Sequence, residues 1–303
     1  MLSIIGAGRV GSALAFLAAQ SGIDDIVLYN RTKNKALGET LDIVNTIPEK
    51  SLMSITGTND ISAIKNSDVV VITVSGGGAI KEDRNELLPF NVPIVTRICE
   101  NLRKYADDAK IIVVTNPVDI ITHQVLKQTE FSREQVIGMG SSLDSSRFRY
   151  LLAKELGVRQ GHIEGFVMGE HGPTMVPLFS NAKIDGKKIN LSEKKYDDIL
   201  YHLRNYWKDL ILFKGASVFG AAKNTFDIVQ AIIKKKDLLT TASINLNNEY
   251  GFSSISMGVP VIVGMNGVKE VIRLDLDQKE TEFLEISAKR ISTGLELLSN
   301  LIK

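Results

Sequence analysis

The chain begins with Leu2-Ser3-Ile4-Ile5 and runs directly into Gly6-Ala7-Gly8-Arg9-Val10-Gly11, after which residues 10–20 carry a helical pattern. Few folds accept a buried strand, a glycine-rich turn and a helix in that order. Gly6 permits the tight turn out of the strand, Gly8 lets the backbone approach a bound group, and Gly11 lets the helix pack close on the strand. The N-terminus of that helix offers free N–H groups and the positive end of the helix dipole, which suits a phosphate. In this strand–turn–helix setting the motif predicts a dinucleotide pyrophosphate site, with Arg9 and Val10 inside the loop that holds it.

Short β-branched runs then alternate with helical segments through the first half. Strands are expected over residues 26–29, 54–56, 69–74, 111–114 and 136–137, with helices between them, including residues 31–45 and 92–105. Apolar runs of this length, separated by helices, imply a parallel sheet covered on both faces. The second half changes character. A helix over residues 146–156 stops at Gly157, strand-like pieces flank the turn dipeptide Asp185-Gly186, and a helical region spans about 192–235 with an interruption near Lys214-Gly215. Late strands at 259–263 and 271–276 enclose a turn at Asn266-Gly267, and a helix closes the chain. The expectation is an α/β fold: an N-terminal doubly wound parallel sheet of Rossmann type over residues 1–140, and an α+β substrate domain over 141–303. No repeat or low-complexity linker separates the halves, so one rigid interface joins them.

Composition excludes several function classes. The 303 residues carry 36 Lys+Arg against 35 Asp+Glu, without the basic excess of a general nucleic-acid or acidic-membrane binder. The run Lys234-Lys235-Lys236 reads as a solvated helix end. Cys99 is the single cysteine, which rules out an intrachain disulfide framework or a cysteine metal cage. No apolar run approaches the ~20 residues of a membrane helix, and the N-terminus lacks a basic region followed by an apolar signal core. A cytoplasmic protein without a metal is expected.

Two further motifs carry chemistry. Leu143-Asp144-Ser145-Ser146-Arg147 is followed about two dozen residues on by Gly169-Glu170-His171-Gly172. A histidine that moves a proton, an aspartate that orients it and an arginine that clamps a carboxylate are what an alcohol/ketone redox enzyme with an anionic substrate needs. His171 lies between glycines that leave its ring accessible, whereas His123, His162 and His202 suit surface or packing roles. Asp144 also fits a helix N-cap. Arg147, three residues on, shares its helical face; Arg149 lies off that face and reads as structural.

At the end of the second strand stand Tyr29-Asn30-Arg31-Thr32-Lys33. An acidic residue here would hold the ribose 2′-OH of NAD. Asn30 does not repel a 2′-phosphate and Arg31 can pair with one, so NADP is expected to be accepted as well as NAD. The alternative is that Asn30 bonds the ribose while Arg31 points to solvent.

These motifs, together with Arg84, Val114-Thr115-Asn116-Pro117-Val118-Asp119, Glu249-Tyr250-Gly251 and Gly258-Val259-Pro260, resemble the lactate/malate dehydrogenase family nearly end to end. Within it the chain looks most like malate dehydrogenases of the lactate-dehydrogenase type. The resemblance implies that His171 is the acid/base, with Asp144 as its partner, and that Arg147 holds the C1 carboxylate. It implies that Arg84 polarises the reacting carbonyl from a glycine-rich lid, Ser75 to Asp83. It places Asn116 against substrate and nicotinamide ribose, Thr115 and Asn91 at the cofactor, and Ser217 in the pocket wall.

One position departs from that pattern. Malate enzymes of the family carry a second arginine six residues before the one matched by Arg84, and lactate enzymes a glutamine; this chain has Gly78. Lys81 is the candidate to supply the missing charge. The expected reaction is NAD(P)-dependent interconversion of oxaloacetate and (S)-malate, a 2-oxo/2-hydroxy dicarboxylate pair, by a homodimer or homotetramer. Lactate or another 2-hydroxy acid is the alternative, and a silent NAD(P)-binding sensor is the alternative from another class. An NAD-dependent glycosidase fits poorly, because such chains are longer and use Cys and His as metal ligands.

Overall fold

The computed structural model describes residues 1–77 and 83–302. The first half comprises β1 (Leu2–Ile5), α1 (Arg9–Ser21), β2 (Ile26–Tyr29), α2 (Lys33–Ile43), β3 (Ile55–Thr58), β4 (Val69–Ile72), α3 (Leu88–Tyr105), β5 (Lys110–Val113), α4 (Val118–Thr129) and β6 (Val136–Gly138). All six strands pair in parallel in the order β3-β2-β1-β4-β5-β6. The doubly wound sheet expected from the sequence is therefore present. Its central strands are fully buried because α1, α3 and α4 cover its faces; every residue of β1 and β4 has its side chain in the core.

The second half comprises α5 (Ser141–Leu156), β7 (Ile163–Glu164), β8 (Val167–Met168), β9 (Val176–Pro177), β10 (Lys183–Ile184) and β11 (Lys187–Lys188). It continues with α6 (Glu193–Lys214), α7 (Phe219–Ile233), β12 (Leu238–Glu249), β13 (Phe252–Gly264), β14 (Gly267–Val271) and α8 (Gln278–Ile302). The Asp185-Gly186 turn joins β10 to β11 with both residues at positive φ, as a two-residue hairpin requires. The break foreseen near Lys214-Gly215 is the left-handed C-cap of α6 at Gly215.

The antiparallel run β12-β13-β14 continues the parallel sheet rather than forming one of its own. β12 meets β6 through Ser243 opposite Gly138, giving nine strands in one sheet. Gly138 allows this approach, since a Cβ there would lie 2.4 Å from Thr122 Oγ1 and 2.7 Å from Ser243 Cβ. The main core cluster runs across both halves, while Phe148, Leu152, Val167 and Met175 anchor a second one beneath α5 and α6.

Three expectations need correction. β12 went unread in the sequence. The strand placed at 271–276 ends at Val271: Ile272 N–H still donates to the Pro260 carbonyl of β13, but Leu274 N–H turns to the Tyr250 hydroxyl, outside the ladder. Helix α5 starts at Ser141 with Gly140 as its N-cap, five residues before the expected start, so Asp144 lies in the first turn and is not the cap.

Candidate active site

The turn after β1 has the geometry its glycines imply. Gly6 sits at φ +119°, and a Cβ on Gly11 would fall 1.8 Å from the Gly6 carbonyl oxygen. A Cβ on Gly8 would meet no heavy atom within 4 Å, so the backbone is open there. No side chain caps α1 and no acidic residue occupies its first turn. An uncapped helix N-terminus beside an open glycine backbone fits a bound pyrophosphate. Thr73, which sequence reasoning missed, donates its hydroxyl to the Gly6 carbonyl at 2.9 Å and fixes the turn. At the end of β2, Asn30 Oδ1 accepts from Thr32 N–H at 3.2 Å and Arg31 is exposed.

A cavity of about 310 Å³ lies between the halves. Val10, Arg84, Asn91, Thr115, Asn116, Arg147, His171 and Ser217 all line it. Asp144 is 1% exposed and lies behind His171, whose Nδ1–H donates to Asp144 Oδ2 at 2.5 Å. This leaves the far ring nitrogen as the free one. Arg147, one turn further along α5, donates to Asp144 Oδ1 at 3.3 Å and to Ser217 Oγ at 3.2 Å, and stacks 5.1 Å over Tyr206. Arg84 Nη1 donates to the His171 backbone carbonyl. Gly140 seats the imidazole, because a Cβ there would lie 2.7 Å from the His171 ring.

Asn116 reaches the cavity from the end of β5 through a cis peptide to Pro117. Its side-chain oxygen is buried without a partner among the described residues, an acceptor that a hydroxyl donor would satisfy. Asn91 bridges two strand ends, accepting from Gly76 N–H at 2.8 Å and donating to the Asn116 carbonyl at 2.7 Å. The Thr115 hydroxyl donates to the Val74 carbonyl at 2.8 Å. Gly78 and Lys81 lie outside the described residues. Arg149 donates to the Gly165 carbonyl, and His162 pairs with Asp185 at the surface.

The electrostatics follow from burial. Burial alone would raise the Asp144 carboxyl, but His171 first, then Arg147 and Arg84, hold it below the usual carboxylate range. Burial, followed by the Arg84 cation, lowers His171 against the opposing pull of Asp144. The pair is thus set as a carboxylate beside a neutral, proton-accepting imidazole. Asp119 on α4, part of a sequence motif but given no role there, accepts the His171 backbone N–H at 2.8 Å, and burial pushes its own carboxyl up to about 7.

Other residues invisible to motif reading complete the site. Arg204 and Trp207 of α6 line the cavity together with Met175. Arg290 of α8 donates to Glu170 Oε1 and to Asp83 Oδ1, each at 2.9 Å. Those acceptors immediately precede His171 and Arg84, so one guanidinium ties the two segments together.

Comparison with known proteins adds the lineage. The chain matches the family profile described as lactate/malate dehydrogenase, NAD binding domain, over residues 1–138, and the one described as lactate/malate dehydrogenase, alpha/beta C-terminal domain, over residues 141–300. It is 35% identical to a malate dehydrogenase of Staphylococcus carnosus, covering 99% of this chain and 98% of that one. It is also 35% identical to an L-lactate dehydrogenase of Treponema denticola, over 96% and 95%. Among solved structures it resembles the Cryptosporidium parvum lactate dehydrogenase complexed with lactic acid and nicotinamide adenine dinucleotide, with a TM-score of 0.96, 33% identity, and coverage of 99% and 98%.

If Arg290 holds both segments, Arg290→Met should loosen them together. Hydrogen–deuterium exchange should show protection at residues 83–87 and 169–174 falling by about tenfold or more, with α1 unchanged. Unaltered protection in either segment would refute the tie.

Proposed function

The chain belongs to the lactate/malate dehydrogenase family of oxidoreductases, and we propose that it is a malate dehydrogenase, interconverting oxaloacetate and (S)-malate with NAD or NADP. The observation that carries this reading is the Asp144–His171 pair on the wall of a cavity that also receives Arg147 and Arg84. We assign residues 1–140 to cofactor and 141–303 to substrate. The Gly6–Gly11 turn, with Arg9 and Val10, would hold the pyrophosphate, Asn30 would meet the adenosine ribose, and Asn91 and Thr115 would support the nicotinamide end. When bound, the nicotinamide supplies or accepts the hydride.

Arg147 holds the substrate's C1 carboxylate bidentately, with Asp144, Ser217 and Tyr206 fixing its plane. Asn116 offers its unpaired amide oxygen to a hydroxyl. In the oxidation direction neutral His171 accepts the hydroxyl proton at its free ring nitrogen, and Asp144 stabilises the imidazolium that forms. In reduction the protonated ring returns it, while Arg84 offsets the charge developing on oxygen. Thr73, Val74 and Leu143 line the same cavity and limit water around the reacting atoms.

The test is a panel of oxaloacetate, pyruvate, 2-oxoisocaproate and hydroxypyruvate with NADH and NADPH. Oxaloacetate should lead in kcat/KM. A pyruvate preference would favour the lactate reading, in line with the Treponema relative. Binding of NADH without turnover of any acid would favour a sensor.

The pH dependence follows from the His171 shift. Its folded value lies below the usual 6.5, so kcat/KM for malate oxidation should rise with pH and reach half-maximum below pH 6.5. Reduction should instead decline as pH rises through the same group. Asp144→Asn removes a charge that raises His171; it should move the half-point lower still and reduce kcat/KM by about 10²–10⁴. A half-point above 7 in wild type would contradict the assignment.

Arg31 is exposed at the end of β2, where a 2′-phosphate would lie, so Arg31→Ala should lower kcat/KM for NADPH about tenfold and spare NADH. Equal effects on both would refute the NADP role. A homodimer or homotetramer completes the reading, supported by the exposed apolar side chains Leu212, Phe213 and Phe219. Sedimentation equilibrium should give two or four chains; a monomer at micromolar concentration would refute it.

A further inference from the structure

Helix α6 turns Leu203, Arg204, Trp207 and Ile211 toward the cavity, the last three standing one, four and eight positions after Leu203 on one face. Three of them are apolar or aromatic. Arg204 is the exception, and its environment differs from that of the other arginines in the cavity. Arg147 is paired with Asp144, and Arg84 lies within electrostatic reach of Asp144 and Glu170. For Arg204, the one donor contact among the described residues is a long bond from Nη2 to the Met175 carbonyl at 3.4 Å. Its guanidinium carbon sits 5.3 Å over the Phe283 ring, and its Nε is buried with no acceptor among the described residues. Burial lowers its pKa, and no described carboxylate opposes that effect; Tyr196 alone does.

A half-buried guanidinium whose Nε–H is buried and unused is costly unless an anion arrives to complete it. Arg147 already supplies one clamp for a carboxylate. A cation on a second wall of the same cavity therefore selects for a ligand with a second anionic end. Building on the dehydrogenase reading above, we propose that Arg204 recognises the far carboxylate of a four-carbon 2-oxo dicarboxylate and so sets substrate class. The planar fork of arginine matches a carboxylate in two parallel bonds. Met175, whose carbonyl the guanidinium approaches, lies four residues after His171, so the fork enters the cavity near the acid/base. The segment from Gly78 to Glu82 offers Lys81 as its one cation, the competing candidate.

The experiment compares wild type with Arg204→Met, Arg204→Lys and Lys81→Ala, each assayed with NADH against oxaloacetate and pyruvate. Arg204→Met should raise the KM for oxaloacetate and lower its kcat/KM by about 10- to 100-fold, the loss of a charge-assisted bond. Its kcat/KM for pyruvate, which has no far carboxylate, should change by less than about threefold on the same argument. Arg204→Lys keeps charge without the fork and should fall in between; should the methionine variant fail to fold, this variant carries the test through the same selective loss. Equal losses on both acids would reduce Arg204 to a packing role. A selective loss in Lys81→Ala with none in Arg204→Met would move recognition to the 78–82 segment. A wild-type enzyme that reduces neither acid would instead overturn the dehydrogenase reading, before any variant is compared.

Discussion

A carboxylate buried as deeply as Asp144 cannot stay ionised on its own, because removing its hydration costs several kcal/mol. The surroundings of the cavity are arranged to meet that requirement. Arg147 reaches it from the next turn of α5, and His171 from the connection between β8 and β9. The N-terminus of α5 adds the positive end of its dipole, since Asp144 lies in the first turn. Removing Asp144 would strand a guanidinium and a ring that were placed to face it. The same interaction fixes which imidazole nitrogen is free, so stability and reactivity rest on one contact.

That contact needs α5 held rigidly against the sheet, and buried hydroxyls do this. Ser145 pairs with Thr241 of β12 at 2.8 Å and accepts the Val167 N–H of β8 at 2.8 Å. One serine thus joins the helix that carries Asp144 and Arg147 to the late hairpin and to the segment leading to His171. The seam between β6 and β12 puts the start of α5 at the carboxyl end of the parallel sheet, where β1, β4 and β5 also deliver Gly6, Thr73 and Asn116. The glycine turn and the Asp144–His171 pair converge because they share an edge of one continuous sheet.

What could be read in the sequence was what is local. The glycine turn, the α5 pair three residues apart and the glycine-flanked histidine are short-range patterns whose chemistry shows in the residue types. β12 escaped because its buried side chains include Thr241 and Ser243, hydroxyls that interrupt the apolar run, Thr241 being paired with Ser145 of α5. Asp119, Arg204 and Arg290 escaped for another reason. Arg204 and Arg290 sit on helices beside other polar residues, where nothing in the local pattern distinguishes a charge aimed at a cavity from one facing water, and Asp119, among apolar neighbours, gives no local sign of what it bonds. Their partners lie far away in sequence, 52 positions for Asp119 and His171 and 207 for Arg290 and Asp83, so only tertiary structure could single them out.

Where the cations stand bears on how such a cavity chooses its ligand. Arg84, Arg147 and Arg204 enter from three different elements, while the described carboxylate nearest the reacting ring, Asp144, is already committed to His171 and Arg147. The cavity therefore favours anions before any specific contact forms. A guanidinium on a 22-residue helix, braced by a ring and a carbonyl, is in place before the ligand arrives. A charge delivered by a closing loop becomes available only after it. The first arrangement discriminates in the encounter complex and shows mainly in KM; the second discriminates in closure and shows in kcat as well. If the far carboxylate is read from α6, selectivity in this chain does not rest on residues 78–82, and the Asp144–His171 pair can stay the same whichever acid the cavity admits.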